Sequence, residues 1–252
     1  LNNVKEWGYD AIKWDTITNC KIVNQKYQSR RYDPTLTAKQ LQRNLAKTTR
    51  EVLGEDMYML LCCAEDDADV LTAIDYFESA RTGNDIFNWK EFITNGVLRT
   101  LKYYPLHNNV FFADCDNLVL REEYNDYNQA ASRVYFVSML GLPLTFGDEF
   151  DALDEKRISF IKECLPVLET HPMNIYRNEN KRDVLKINLS VCKPWESYNV
   201  INVFNMRSQK NTASVNLSKD LGLDDKEYVT FVADLPEAYD ISIGLEREID
   251  GI

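Results

Sequence analysis

Apolar residues in the first two thirds of the chain come in short runs that alternate with amphipathic stretches. The segment YDAIKWD, residues 9–15, predicts a short strand ending on Asp15, preceded by a helix end that stops at Gly8. A polar loop is expected after it. TAKQLQRNLAKTTREVLGED predicts a helix with Leu41, Leu45 and Val52 on one face and Gly54 at its close. MYMLLCCA, residues 57–64, is nearly continuous in apolar character, the pattern of a parallel strand buried on both faces. After the acidic loop EDDAD, residues 74–81 predict a third strand ending on Arg81. NWKEFITNGVLRTLKYY predicts a helix with Trp89, Phe92, Ile93, Val97 and Leu101 on one side. NVFFADCDN, residues 109–117, predicts a fourth strand, and DYNQAASRVYFVSMLG a helix closed by Gly141. LPLTFGDEF then predicts a short fifth strand with Asp148 just past it, and LDEKRISFIKECLP a helix stopped by Pro166.

Strict alternation of strand and helix, with polar and acidic residues after each strand, implies an α/β fold with a parallel sheet. In (β/α)8 barrels the active site sits at the strand C-termini, and the whole barrel takes ~250 residues. Five units here use about 165, so the expectation is the C-terminal part of a TIM barrel, about strands 4 to 8, with three units preceding Leu1. Past residue 182 the pattern changes to short β-rich segments separated by polar turns, which predicts a small antiparallel β domain. The expected domains are therefore 1–172, a partial barrel, and 183–252, an antiparallel β-sandwich, joined by a linker near 172–183.

The apolar share of 44% supports a packed core. The net charge of −11, with no basic run, argues against nucleic acid or an anionic membrane as partner, and no apolar run approaches a membrane span. Six scattered cysteines include no C-x-x-C pair, which excludes a zinc ribbon. Neither His107 nor His171 has a second ligand at metal spacing, so both read as structural and no metal is expected. The acidic loop 65–69 reads as solvated, with Ca²⁺ as the alternative, since hard cations take clustered oxygens.

Asp15 and Asp85 would both open onto the C-terminal face of such a sheet. Hydrolysis of a glycosidic bond with retention needs two carboxyl groups about 5–5.5 Å apart, one to attack and one to protonate the leaving group. Loop or capping aspartates are the alternative in a chain with 40 acidic residues.

The stretch ARTGNDIFNW resembles the signature R-x-[SG]-x-D-x-x-x-W of clan D glycoside hydrolases, in particular the α-galactosidase and raffinose synthase group of glycoside hydrolase family 36. WGYDAIKWD is similar to the nucleophile strand of that group, FADCDNLVLR to its D-x-D strand, and GLPLTFGDEFDAL with the following helix to its last barrel unit. HPMNIYRNE and the β-rich segments after it resemble the passage into a C-terminal β-sandwich. The resemblance implies Asp15 as nucleophile and Asp85 as acid/base, with Lys13 and Arg81 binding sugar hydroxyls. It implies Trp89 as a pocket wall, with a core aromatic on the helix face as the alternative, and Cys62 pointing at the pocket. Asp116, in the DCD run at 114–116, reads as substrate-side support or strand-end structure. Gly83 would leave room for the sugar or permit a turn. No cofactor is required, and the partner is an oligosaccharide or glycoside. The chain departs from the group after its second strand, where CCAEDDAD has no glycine. Three activities stay open: a hydrolase of terminal α-galactosides, a raffinose-synthase-like transferase, and a non-catalytic carbohydrate-binding relative.

Overall fold

The computed structural model describes residues 1–62, 67–165, 170, 172, 175, 184–207, 209, 214–224, 242–243 and 248–250. Cys63, His171, residues 65–66 of the acidic loop, nearly all of the linker 172–183 and the β segment 227–234 lie outside the described residues. The chain divides into two compact units, Leu1–Ile86 with Glu91–Asp116, and Phe87–Lys90 with Asn117–Ile252.

The first unit is built on a parallel sheet in sequential order: β1 (Ala11–Trp14), β2 (Tyr58–Leu61), β3 (Ser79–Arg81) and β4 (Phe112–Asp114). Side chains alternate across it as the pleat requires. Met59, Leu61, Ala80 and Ala113 are fully buried on one face. Lys13, Leu60, Ser79 and Phe112 share a register row on the other face, where Lys13 and Phe112 are exposed. Helix α1 (Asn2–Glu6) precedes β1, and the helices between strands are α2 (Ile17–Lys26), α3 (Ala38–Leu53), α4 (Asp67–Ala73), α5 (Trp89–Glu91) and α6 (Leu98–Tyr103).

Several of these differ from the sequence reading. The polar loop expected after β1 contains α2, whose buried residues are Ile17, Thr18 and Lys21; so few apolar positions leave no legible stripe. Residues 67–69 of the acidic loop lie in α4, and the start of the expected third strand is taken by a 3₁₀ turn, Ile74–Tyr76, which leaves β3 only Ser79–Arg81. Helix α3 buries Ala38, Gln42, Ala46, Thr49, Arg50 and Leu53, while Leu45 is exposed. The buried stripe is offset from the expected Leu41, Leu45 and Val52 because Arg50 turns inward to cap backbone carbonyls. Its ends follow the local chemistry. Thr37 and Gln40 form a reciprocal capping box, and Gly54, at φ +89°, ends the helix in a conformation that favours glycine. The helix expected over 88–104 contains a π-helical stretch, Phe92–Val97, in which the Leu98 amide donates to the Ile93 carbonyl.

In the second unit, α7 (Tyr127–Met139) begins with a capping box of Asp126 and Gln129, and α8 (Glu155–Glu163) follows. Gly141, at φ +64°, lies just past α7 as the sequence predicts. The expected fifth strand is reduced to an isolated parallel bridge between Leu118 and Phe146. Beyond it, β5 (Val184–Lys193) and β6 (Glu196–Asn205) form a long antiparallel hairpin, and β7 (Ser214–Asn216), β9 (Glu248–Asp250) and β8 (Ser242–Ile243) a second antiparallel sheet. The only helix among the described residues of this part is α9 (Leu217–Leu221). The hairpin meets α7 through Phe204, whose ring lies 5.6 Å from Phe136 and 5.6 Å from Trp89.

Candidate active site

The sheet of the first unit brings four chemistry-bearing residues to one edge. Asp15 and Cys62 follow the paired residues Trp14 and Leu61, while Arg81 pairs with Asp114. Each is two residues beyond the row of Lys13, Leu60, Ser79 and Phe112, so the alternation of the pleat turns all four toward the open face. The C-terminal ends of the strands carry them, as the barrel expectation requires.

Arg81 is the centre of the cluster, with its side chain 2% exposed. Its Nη1 lies 2.9 Å from Asp116 Oδ1 and donates to Cys62 Sγ at 3.8 Å. Its Nη2 donates to the Gly83 carbonyl at 3.3 Å and to Asp85 Oδ1 at 3.3 Å. The Asp85 side chain is 71% exposed. Burial opposes the charge on Arg81, but Asp116 and Asp114 outweigh it and hold the guanidinium above its ordinary range.

Asp116 is buried and bonds twice: Oδ1 to Arg81, and Oδ2 accepting the Ile86 amide at 3.0 Å. Its φ of +84° is a strained conformation for a residue with a side chain. Asp114 Oδ1 accepts the Asp116 amide at 2.8 Å. Burial pushes the Asp114 carboxyl above the usual carboxylate range; Arg81, the Asp116 amide and the Lys13 charge pull against that. Lys13 itself is exposed. Asp15 is exposed, and its Oδ1 accepts the Thr16 amide at 2.6 Å.

Arg81, Asp85, Cys62 and Asp116 are therefore assembled into one hydrogen-bonded group, and Lys13 and Asp15 stand on the same open face of the sheet. Trp89 belongs to the second unit, where its ring lies 5.6 Å from that of Phe204 at a tilt of 37°. Gly83 is explained differently from the sequence expectation. A Cβ there would lie 2.2 Å from the Asn95 carbonyl oxygen, so glycine is required by the close approach of the following helix backbone, not by room for a sugar. Asp114 carries more of the electrostatics than the sequence reading assigned; its signal was the D-x-D spacing at a strand end. His107 is structural, as expected: its Nδ1 accepts the Ala113 amide at 3.1 Å. Cys20, Cys164 and Cys192 are free thiols, and no metal-binding cluster of three or more His, Cys, Asp or Glu occurs among the described residues.

No protein-family model matches this sequence, and no curated protein matches it. Solved structures do match. A GH27 β-L-arabinopyranosidase from Geobacillus stearothermophilus shares 18% identity at a TM-score of 0.60, covering 88% of this chain and 51% of its own. An α-galactosidase from Saccharomyces cerevisiae, solved with raffinose, shares 13% identity at a TM-score of 0.60 over 91% of this chain and 55% of its own. The α-galactosidase I of Mortierella vinacea gives 15% identity and a TM-score of 0.60 over 86% and 57%. The chain thus spans about half the length of the structures it matches. At such identities the likeness establishes the fold: a mixed α/β arrangement on a parallel sheet, matching about half the length of these glycosidases. It does not narrow to family 36, since the first of these neighbours is a GH27 enzyme.

Proposed function

We propose that this chain carries the catalytic pair of a retaining α-glycosidase of the α-galactosidase type. In this reading residues 1–172 are the later part of the barrel and 183–252 a β-sandwich. Asp15 attacks the anomeric carbon while Asp85 gives its proton to the leaving oxygen, producing a glycosyl-enzyme ester on Asp15. Asp85 then takes a proton from water as that water attacks the same carbon, and the Asp15 carboxylate leaves. Lys13 and Arg81 hold sugar hydroxyls, Cys62 lines the pocket, and no cofactor takes part. The remaining barrel strands come from outside this chain.

The observation that carries this reading is that a fully buried arginine at the strand ends spends part of its donor set on a solvent-facing carboxylate, Asp85, which does nothing for a core and much for a site. The matches to an α-galactosidase solved with raffinose and to an arabinopyranosidase support a glycoside as substrate. The test is turnover of an aryl α-galactoside by the complete polypeptide. Asp15→Asn should abolish it. Asp85→Ala should retain glycosylation with a good leaving group and be partly restored by azide, which attacks the glycosyl-enzyme without base help and releases a glycosyl azide of retained configuration. Undiminished turnover by Asp15→Asn overturns the assignment.

A further inference from the structure

We infer that Asp116 is a positioning residue that fixes Asp85 from two sides at once, rather than a group that touches substrate. This rests on the reading of Asp85 as the acid/base. The carboxylate of Asp116 divides its two oxygens between the two routes to Asp85. Oδ1 pairs with Nη1 of Arg81, whose Nη2 in turn donates to Asp85 Oδ1. Oδ2 accepts the amide of Ile86, the residue that immediately follows Asp85 in the chain. One carboxylate therefore ties down both the side-chain partner of Asp85 and its backbone.

Three further observations separate this from an ordinary core ion pair. Asp116 adopts φ +84°, and a strained backbone at a buried carboxylate is retained only where surrounding contacts over-determine it. Those contacts are present, since Asp114 Oδ1 holds the Asp116 amide at 2.8 Å. The guanidinium is also not saturated: Arg81 Nε–H is buried and has no acceptor among the described residues. Arg81 is thus held by its Nη tips alone, and its aim depends on Asp116. Finally, Asp85 is 71% exposed while Asp116 is 8% exposed, so the pair spans the boundary between interior and solvent. Asp114, Lys13 and Cys62 also bear electrostatically on the cluster. On the element that follows, Asn95 Nδ2 donates to the Asp85 carbonyl at 3.4 Å, and Arg99 Nε donates to the Thr82 carbonyl at 3.0 Å.

The experiment is a double-substitution cycle on the complete polypeptide with a spectroscopic control. Asp116→Asn tolerates left-handed backbone and keeps an acceptor for the Ile86 amide, but loses the charge that aims Arg81. Turnover of an aryl α-galactoside should fall at least tenfold. In the Asp85→Ala background with azide present, the same substitution should change turnover less than twofold, because the group it positions is already gone. A full tenfold loss in that background overturns the proposal and makes Asp116 an independent contact. The control is the nitrogen-15 spectrum of the arginine side chains, with Arg81 assigned by its loss in Arg81→Lys. Asp116→Asn should move and average the Arg81 Nη signals; unchanged signals overturn the proposal. If the wild type cleaves no α-glycoside, the functional reading fails by itself, and the spectrum still decides whether Asp116 restrains Arg81. Asp116→Gly, which relieves the left-handed backbone, replaces Asp116→Asn if that variant does not fold.

Discussion

Two buried arginines sit at opposite ends of the parallel strands and have opposite characters. Arg50, on α3 near the strand N-termini, donates to the carbonyls of Gly54, Met57 and Tyr76 and to Glu78 Oε1 at 2.6 Å, using Nε and both Nη atoms. Glu78 completes the knot by accepting the Met59 amide at 2.6 Å. Every partner belongs to the scaffold. Arg81, at the strand C-termini, leaves Nε–H without an acceptor among the described residues and reaches out to an exposed aspartate. A saturated arginine fastens chain segments together, whereas Arg81, with a donor unused and a solvent-facing partner, holds the acid/base in the proposed reading. Arg50, with Lys47, Glu51, Glu55 and Asp75, also lines a hollow of ≈ 260 Å³.

The contrast can be broken most sharply by replacing each arginine with lysine. Arg50→Lys should destabilise by about 3 kcal/mol, since one ammonium cannot serve three carbonyls and a carboxylate spread around a planar fork. Arg81→Lys should cost about 1 kcal/mol, because the ammonium still neutralises Asp116, while turnover of an aryl α-galactoside collapses. Denaturant midpoints checked against rates decide; equal stability losses would erase the distinction. Gly83→Ala should destabilise by about 2 kcal/mol, as the new methyl meets the Asn95 carbonyl oxygen and the helix must move.

A gentler probe is pH. Asp114 has a raised carboxyl pKa in the folded protein, so its contribution to stability is greatest below the ordinary carboxylate range and is lost as pH rises through the folded value. Asp114→Asn keeps an oxygen for the Asp116 amide and removes that dependence. Its stability relative to wild type should therefore improve from pH 4 to pH 7, read by denaturation at both values. Smallest of all is the ion pair of Arg43 with Asp75, both half exposed. The hydrogen bond from Arg43 holds the Asp75 carboxyl below its ordinary range, so its stabilisation is present above that range and fades as pH falls through the lowered value. Arg43→Ala should change the midpoint least of this set, and added salt should shrink the difference further.

The strand ends were the legible part of this sequence. Short apolar segments that end in charged residues at Asp15, Arg81 and Asp114 mark both the strands and the edge where the proposed site lies. Helices α2 and α4 were hidden because their apolar positions are too few to make a stripe, and the buried face of α3 was misread because a polar residue, Arg50, occupies it. The links within the site were also out of reach. Nothing in the spacing of Arg81, Asp85 and Asp116 tells that the arginine joins the two aspartates, and nothing near Gly83 announces that Asn95 passes against it.

The π-helical stretch after the site bears on how this segment tolerates length change. A π turn holds one residue more than an α turn, and here it lies between Phe92 and Val97, directly opposite Gly83. Removing a residue elsewhere in a helix swings everything beyond it by about 100° and ruins the buried stripe. Removing one within 92–97 would let the helix close into regular α geometry and keep both of its ends facing as before. The segment beside the proposed acid/base thus has a built-in allowance for losing a residue, and the cost would fall on contacts the bulge now makes, among them the Asn95 carbonyl against Gly83.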